Sequence, residues 1–461
     1  MMFDPGSFRD PSGRVLMRDS RVLRAVFEHG RAAFEAADSA GVLRRAIDKG
    51  QLLDMQPADP ATVAGIVPAP VHVIEHPRLD FVSYPYEWTF SALKAAALLH
   101  LEFHLDLLEQ GFTLSDATAY NVQFNGPRAV FIDHLSVIPY EEGSLWTGQR
   151  QFGMQFLNPL VLWAKRGIAP NAWFRGSLEG IAPEDLAPLL RTRDKLSFTV
   201  MAHIVAQARL QRAVVNAGFE NKPKAAAKLS RTAFKAILVG LKDYIGGLTL
   251  PDTKSVWSDY AAHNSYDDTR RSAKHEFVAK LVREEAPGLF FDVGCNSGDF
   301  SATALDAGAK SVVGFDFDFG ALERAFARFT KSGQTMLPLW LDAANPSPAQ
   351  GWASAERKSF GERAKGDSMV ALALIHHIAI SRNVPLDQAV DWLMAMAPTG
   401  IIEFPNKDDV MVRELLSNRP DIFPDYTEEA FVAHVSARGR IVEQTRLGDS
   451  TRLLVRYDSR T

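Results

Sequence analysis

Between Phe290 and Asp318 the chain reads Phe290-Phe291-Asp292-Val293, then Gly294-Cys295-Asn296-Ser297-Gly298-Asp299-Phe300, then a helical Ser301–Ala307, then a second apolar run closed by Asp316 and Asp318. A buried strand, a tight glycine turn, a helix start and a second strand ending in acid form the nucleotide-binding half of a doubly wound α/β fold. In such folds a ligand sits over the carboxyl ends of the strands and against a helix N-terminus. Gly294 and Gly298 let the backbone turn tightly and approach a ligand. Asp292 is placed to accept hydrogen bonds from turn amides or from a cationic amino group. Asn296 stands where many such turns have glycine, and asparagine is the non-glycine residue that most readily takes a left-handed backbone.

A Gly-x-x-x-Gly turn alone is weak evidence, and the order that follows strengthens it. Val312-Val313-Gly314-Phe315-Asp316 is an apolar strand whose terminal acid suits the two hydroxyls of a ribose, with Asp318 as the competing choice. Thr335–Leu341 reads as a third strand, with Asp342-Ala343 at its end placed to meet an adenine edge. A fourth strand, Ser368–Leu374, runs into Ile375-His376-His377, and a fifth, Gly400–Phe404, carries Glu403. Arg440–Arg446 and Thr451–Tyr457, joined across Gly448-Asp449, form a hairpin that closes the sheet edge. A dinucleotide dehydrogenase shares strand, turn and acid, but the turn is not Gly-x-Gly-x-x-Gly and the terminal hairpin is antiparallel.

From Lys274 to its end the chain resembles the class I S-adenosylmethionine-dependent methyltransferases. The resemblance implies a seven-stranded Rossmann-like sheet with an antiparallel last strand and S-adenosylmethionine as cofactor. Asp292, Gly294, Asn296 and Gly298 would hold its methionine part, Asp316 the ribose, and Asp342 with Ala343 the adenine. Methyl transfer is governed by positioning, and a base is needed only where the acceptor loses a proton. His376, His377 and Glu403, at the ends of strands four and five, are the candidate catalytic residues. A histidine of near-neutral pKa suits deprotonation of a hydroxyl, with Glu403 orienting it or binding a substrate hydroxyl. The competing reading makes one histidine a packing residue, the other a helix cap, and Glu403–Asp409 a loop.

The first half has a different grammar. Val71–Ile74 and Leu79–Ser83 read as strands of a small α/β lobe bounded by prolines. Glu87–Gln110 is a long buried helix ended by Gly111. Leu114–Phe124 and Ala129–His134 then flank an Asn125-Gly126 hairpin turn. Asp116, Asn121 and Asp133 repeat the spacing by which kinases present a base and two metal ligands to a nucleoside triphosphate.

That stretch resembles the catalytic segment of protein-kinase-like and aminoglycoside-phosphotransferase-like folds. It implies Asp116 as base, Asn121 and Asp133 as magnesium ligands, and ATP as a second cofactor should the site be active. Leu114-Ser115 stands where a His or Arg precedes the aspartate, His134-Leu135 follows Asp133 in place of Phe-Gly, and a glycine-rich phosphate loop is missing. The competing reading makes Asp116 and Asn121 turn caps. Beyond Tyr140, the aromatics Trp146, Phe152, Phe156, Trp163, Trp173 and Phe174 read as core, and the basic stretch Lys222–Lys242 as a solvated helix face. Trp257, Tyr260 and Tyr266 form either a cofactor lid or domain packing.

At 461 residues the chain exceeds one ordinary core. The net charge of -4 argues against a nucleic-acid partner. The single cysteine, Cys295, excludes an internal disulfide. No apolar run reaches the length of a membrane span and no signal peptide opens the sequence, so a cytoplasmic location is expected. The expectation is a kinase-like, helix-rich α+β domain over residues 1–250, read as degenerate, and an α/β methyltransferase domain over 251–461. It would methylate oxygen on a small-molecule, lipid or carbohydrate acceptor, with the first domain assisting selection. A bifunctional kinase/methyltransferase acting on a glycan end and a non-catalytic cofactor-binding scaffold are the alternatives. The two-part arrangement also resembles proteins linked to modified glycans and nodulation.

Overall fold

The structure is a computed structural model that describes residues 3–217, 228–251 and 268–460. Trp257, Tyr260 and Tyr266, the linker from Asp252 to Ala262 and Lys222 of the basic stretch lie outside the described residues. Two compact units are present: Met1–Phe124 with Arg128–Thr253 and Gln350–Arg357, and Asn125–Pro127 with Lys254–Ala349 and Lys358–Thr461.

The first unit opens with β1 (Gly13–Arg18) and β2 (Arg21–Val26), an antiparallel hairpin whose two turn residues, Asp19 and Ser20, both have positive φ. With β3 (Gln56–Pro57) and β4 (His72–His76) they make a four-stranded sheet of order β1-β2-β4-β3. Leu16, Leu23, Ala25, Phe27, Val63 and Val73 form its core. Leu79–Ser83, expected as a strand, is irregular. Its backbone polar groups find a side chain instead of a ladder: the Ser83 N–H donates to Gln123 Oε1 at 3.0 Å and the Ser83 carbonyl accepts from Gln123 Nε2 at 2.9 Å.

The long helix is Phe90–Glu109. Thr89 caps it by accepting from the Ala92 N–H, and Gly111, at φ 81°, carries the chain away. Behind it come β5 (Phe112–Leu114), the hairpin of β6 (Val122–Asn125) and β7 (Arg128–Phe131), and β8 (Val137–Pro139), which pairs with β5. Trp146, Phe152, Phe156, Trp163 and Phe174 are buried, and Trp173 is half-buried. The helix Arg231–Gly246 buries Phe234, Leu238, Leu241 and Ile245 and sends Lys235 and Lys242 to surface carboxylates. The segment Gln350–Arg357 packs within this unit through Glu356, a buried carboxylate that accepts two hydrogen bonds from Arg9 at 2.7 and 2.9 Å.

In the second unit β9 (Leu289–Val293), β10 (Ser311–Asp316), β11 (Met336–Trp340), β12 (Ser368–Ala371), β13 (Thr399–Pro405), β14 (Arg440–Arg446) and β15 (Arg452–Asp458) form one sheet of order β11-β10-β9-β12-β13-β15-β14. The first five strands are mutually parallel, and β15 runs antiparallel to both β13 and β14. β9 lies between β10 and β12, so the strand order reverses at its carboxyl end, where open α/β sheets bind ligands. The parallel strands β9, β12 and β13 are buried along their whole length, whereas edge strand β14 has no buried residue. The helices Asp268–Glu285 and Phe319–Ser332 contribute Val278, Leu281, Leu322 and Phe329 to the core beside Phe290, Val312 and Val370.

Gly314 marks where this packing is tightest. A Cβ there would lie 2.9 Å from Cys295 Sγ and closer still to Met336 Cε. Gly314→Ala is therefore expected to destabilise the second unit by about 1–3 kcal/mol, the range for overpacked cores, read as a lowered urea midpoint; an unchanged midpoint would contradict the packing described.

Candidate functional site

The glycine turn is built by backbone hydrogen bonds that converge on the end of β10. Gly294 and Cys295 both donate their N–H to the Phe315 carbonyl, at 2.8 and 3.0 Å. Gly294, Asn296 and Gly298 all have positive φ, at 85°, 47° and 80°. Asparagine serves at the middle position because its side chain caps locally: Asn296 Oδ1 accepts from the Ser297 N–H at 2.8 Å. Gly298 is the N-cap of the helix Asp299–Asp306.

The Asp316 carboxylate holds this turn to the sheet. Its Oδ2 accepts from the Asn296 N–H at 2.8 Å and its Oδ1 from the Asp318 N–H at 2.8 Å. Burial pushes its pKa up against those two amide bonds, which pull it down. Asp318 instead caps the helix Phe319–Ser332 by accepting from the Ala321 N–H, so of the two competing acids it is Asp316 that faces the turn. Each Asp316 oxygen keeps lone-pair capacity for a hydroxyl donor.

Asp292 lies beneath the turn. It is 1% exposed, accepts from Ser301 Oγ at 2.7 Å, and burial raises its pKa to about 7. It therefore shapes the turn and the start of the following helix from below. At the end of β11 Asp342 accepts from the Ala344 N–H at 3.1 Å and lies 3.6 Å from Arg382. Ala343 is half-buried beside it.

The end of β12 is less regular than its sequence pattern. The strand stops at Ala371, and Ala373 takes φ 51°. His376 is buried with both ring nitrogens lacking a hydrogen-bond partner, and burial drives its pKa far down. The His377 ring lies 4.1 Å from that of His376. Burial, with nearby Arg452, lowers its pKa to about 4. The near-neutral histidine base expected here is thus corrected: both pKa values lie well below neutrality, which makes the rings weak proton acceptors, because an imidazolium at this strand end would lose its hydration beside a guanidinium.

Glu403 is 2% exposed and its carboxylate is committed. Oε2 accepts from Lys274 Nζ at 2.7 Å and from the Ala373 N–H at 2.6 Å, while Oε1 faces Arg452 Nη1 at 3.8 Å. Burial alone would raise its pKa, and the two cations outweigh burial and leave it lowered. Arg452 in turn donates to both oxygens of Asp409, at 2.7 and 3.1 Å. Lys274 and Arg452 were not singled out as site residues in the sequence, although Lys274 sits on the apolar stripe of Phe277, Val278 and Leu281. A lysine in register with a buried face is a readable sign of a buried partner.

In the first unit Asp116, Asn121 and Asp133 do come together. Asn121 Nδ2 donates to Asp116 at 3.1 and 3.3 Å and to Asp133 at 3.4 Å. The loop carrying Asp116 is held by Gln155, whose Oε1 accepts from Thr118 Oγ1 and the Ala119 N–H. A cation also reaches the pair: Arg24 of β2 donates to Asp133 Oδ1 at 2.8 Å and to the Ile132 carbonyl at 2.9 Å. Burial, and then Asp133, raise the Asp116 pKa to about 7. Among the described residues no group of three or more His, Cys, Asp or Glu side chains is arranged to hold a metal ion. Asn121 offers its amide NH2 to the two carboxylates, and Arg24 supplies Asp133 with a positive partner.

No family model matches the chain. It is 46% identical over 455 residues to nodulation protein NoeA of Rhizobium meliloti (strain 1021), covering 98% of this chain and 95% of that relative. Among solved structures, N-methyltransferase NodS from Bradyrhizobium japonicum WM9, in complex with S-adenosyl-l-homocysteine, is 16% identical; the match covers 44% of this chain and 92% of that one, with a TM-score of 0.33. WbdD is 15% identical over 44% of this chain and 42% of its own, with a TM-score of 0.32. Scores of this size carry no activity over to the chain.

The acid pair of the first unit yields a pH signature. Burial raises the pKa of both carboxyls of the pair above their unfolded values, so the folded state keeps protons that the unfolded chain releases, and wild-type stability falls as pH rises above the ordinary carboxylate range. Asp116→Asn removes this penalty. Its melting temperature is expected to match wild type at pH 4 and to exceed it at pH 8; equal values at both would refute the burial of this charge.

Proposed function

The chain belongs to the family of nodulation protein NoeA, and on that premise we propose that it is an S-adenosylmethionine-dependent methyltransferase. Its acceptor is an oxygen on a small molecule, lipid or carbohydrate. The observation that carries the reading is the switch-point turn: three alternate left-handed residues at 294, 296 and 298, fastened to an acid whose oxygens still have free lone pairs. This donor set fits the cofactor. Gly294 brings its backbone close to the end of β12, where a Cβ would already touch Leu374 and the Leu372 carbonyl at 3.5 and 3.6 Å, and its lack of a side chain leaves the turn amides open to the methionine part. Asp316 would receive the ribose hydroxyls, and Asp342 with Ala343 would border the adenine.

The bound cofactor supplies an electrophilic methyl group on a sulfonium. The chain's own contribution is placement. The glycine turn and Asp316 fix the donor, and the ends of β12 and β13 form the neighbouring edge where an acceptor lies. His377, half-buried and neutral, serves there as a hydrogen-bonding group that orients an acceptor hydroxyl. The oxygen assignment rests on the lack of an Asn-Pro-Pro-Tyr amide clamp after β12, where the chain reads Ala373-Leu374-Ile375-His376.

The first unit is read as a degenerate kinase-like domain that helps select the acceptor. Asn121 bonds to both of its carboxylates and Arg24 to one of them. No described helix is long and apolar enough to cross a membrane.

Asp316→Ala removes the acceptor for two turn amides as well as for the ribose. It is expected to weaken S-adenosylmethionine binding at least roughly 100-fold by calorimetry, the scale of two hydrogen bonds to a charged group, with an unchanged far-ultraviolet circular dichroism spectrum. Wild-type affinity in this variant would remove Asp316 from the site.

A further inference from the structure

We propose that Glu403 is a positioning residue for the donor site, acting through the amide of Ala373, with Lys274 and Arg452 as the cations that hold its carboxylate in place. This deepens the methyl-donor reading and rests on it. The ladder of β12 ends at Ala371, paired with Val293 on one side and Ile402 on the other. Two residues later Ala373 adopts φ 51°, a left-handed conformation in which a Cβ is strained and which alanine does not hold unaided. Past the end of the ladder, the Ala373 N–H donates to Glu403 Oε2 at 2.6 Å.

That bond sets one wall of the crevice. The residues on either side of Ala373 present the Leu372 carbonyl and Leu374 Cβ to the glycine turn, 3.6 and 3.5 Å from where a Cβ on Gly294 would stand. A return of Ala373 to the β region would swing Leu374 away from Gly294 and turn the segment that carries His376 and His377. Glu403 holds the strained residue from inside the protein, on β13. It is itself held by Lys274 at 2.7 Å from the helix Asp268–Glu285 and by Arg452 at 3.8 Å on β15. Lys274 also lies 5.3 Å from the centre of the Phe300 ring, in the helix that starts at the glycine turn. One buried carboxylate thus ties the strand end facing the donor to three elements around it. Being 2% exposed and fully committed, it acts on the ligand only through Ala373.

The test uses the full chain titrated with S-adenosylhomocysteine by calorimetry, alongside melting temperatures. Ala373→Val leaves the buried charges untouched and disfavours the left-handed backbone; Glu403→Leu removes the acceptor. Each is expected to weaken binding about ten-fold, the scale of one misplaced strained residue. In the double variant Glu403→Leu with Ala373→Gly, glycine reaches the same backbone without help, so affinity is expected to return to within about three-fold of wild type even though the melting temperature stays low. A purely structural Glu403 would give affinity that follows stability, with no rescue. Wild-type affinity in Ala373→Val, or loss in the double variant equal to that in Glu403→Leu, overturns the proposal. A wild-type chain that does not bind S-adenosylhomocysteine overturns the donor reading, and this proposal with it.

Discussion

The hydrogen bond from the Asn296 amide to the Asp316 carboxylate is the contact on which the second unit's site depends. β9 and β10 are neighbours through their backbones, but that ladder ends before the turn begins. The amides of Gly294 and Cys295 are satisfied by the Phe315 carbonyl, and those of Asn296 and Asp318 by Asp316. A tight turn with three left-handed residues has exhausted the local means of pairing its amides, so the acid at the next strand end is a structural requirement before it is a ligand contact. The same carboxylate then stands at the reversal of strand order, where the sheet leaves a crevice. Fold and proposed chemistry use one side chain for both tasks.

Behind the crevice lies a cluster of four buried charged groups, Lys274, Glu403, Arg452 and Asp409. Removing charges from water is costly, and their mutual attraction offsets that cost only with good geometry and full pairing. Such a cluster is poor evidence for extra stability. Its use is specificity: a carboxylate with a 2.7 Å lysine contact and a 2.6 Å amide contact has one place to be, and the elements that contribute to it are held in one arrangement.

In the first unit a spacing read from the sequence is gathered in space with partners that the spacing does not name. Asp116, Asn121 and Asp133 are spaced along the chain like a nucleotide-handling set, and the structure gathers them within hydrogen-bonding range. Spacing could not reveal what fills the space between them. Arg24 comes from a strand more than a hundred residues earlier, and its guanidinium, together with the Asn121 amide, satisfies the carboxylates from within the protein. Leu79–Ser83, expected as a strand, ends at Ser83 with both backbone groups bonded to the Gln123 side chain and not to a neighbouring strand.

Local sequence sets the order of strand, glycine turn, helix and acid from Phe290 to Asp318, the long helix ended by Gly111 and the hairpin across Asn125-Gly126. Each of these depends on neighbours in the chain, through side-chain period and glycine freedom, whereas the start of the helix at the Thr89 cap emerged only in the structure. Tertiary structure alone decided which groups are charged and which are reachable. His376 and His377 look like near-neutral bases when written in a row, and burial beside Arg452 lowers their pKa and makes them weak proton acceptors. Glu403 looks like a catalytic acid at a strand end and is anchored by a lysine 129 residues earlier. Electrostatic character depends on what surrounds a group in three dimensions and on how much water is excluded, and neither is a property of local sequence.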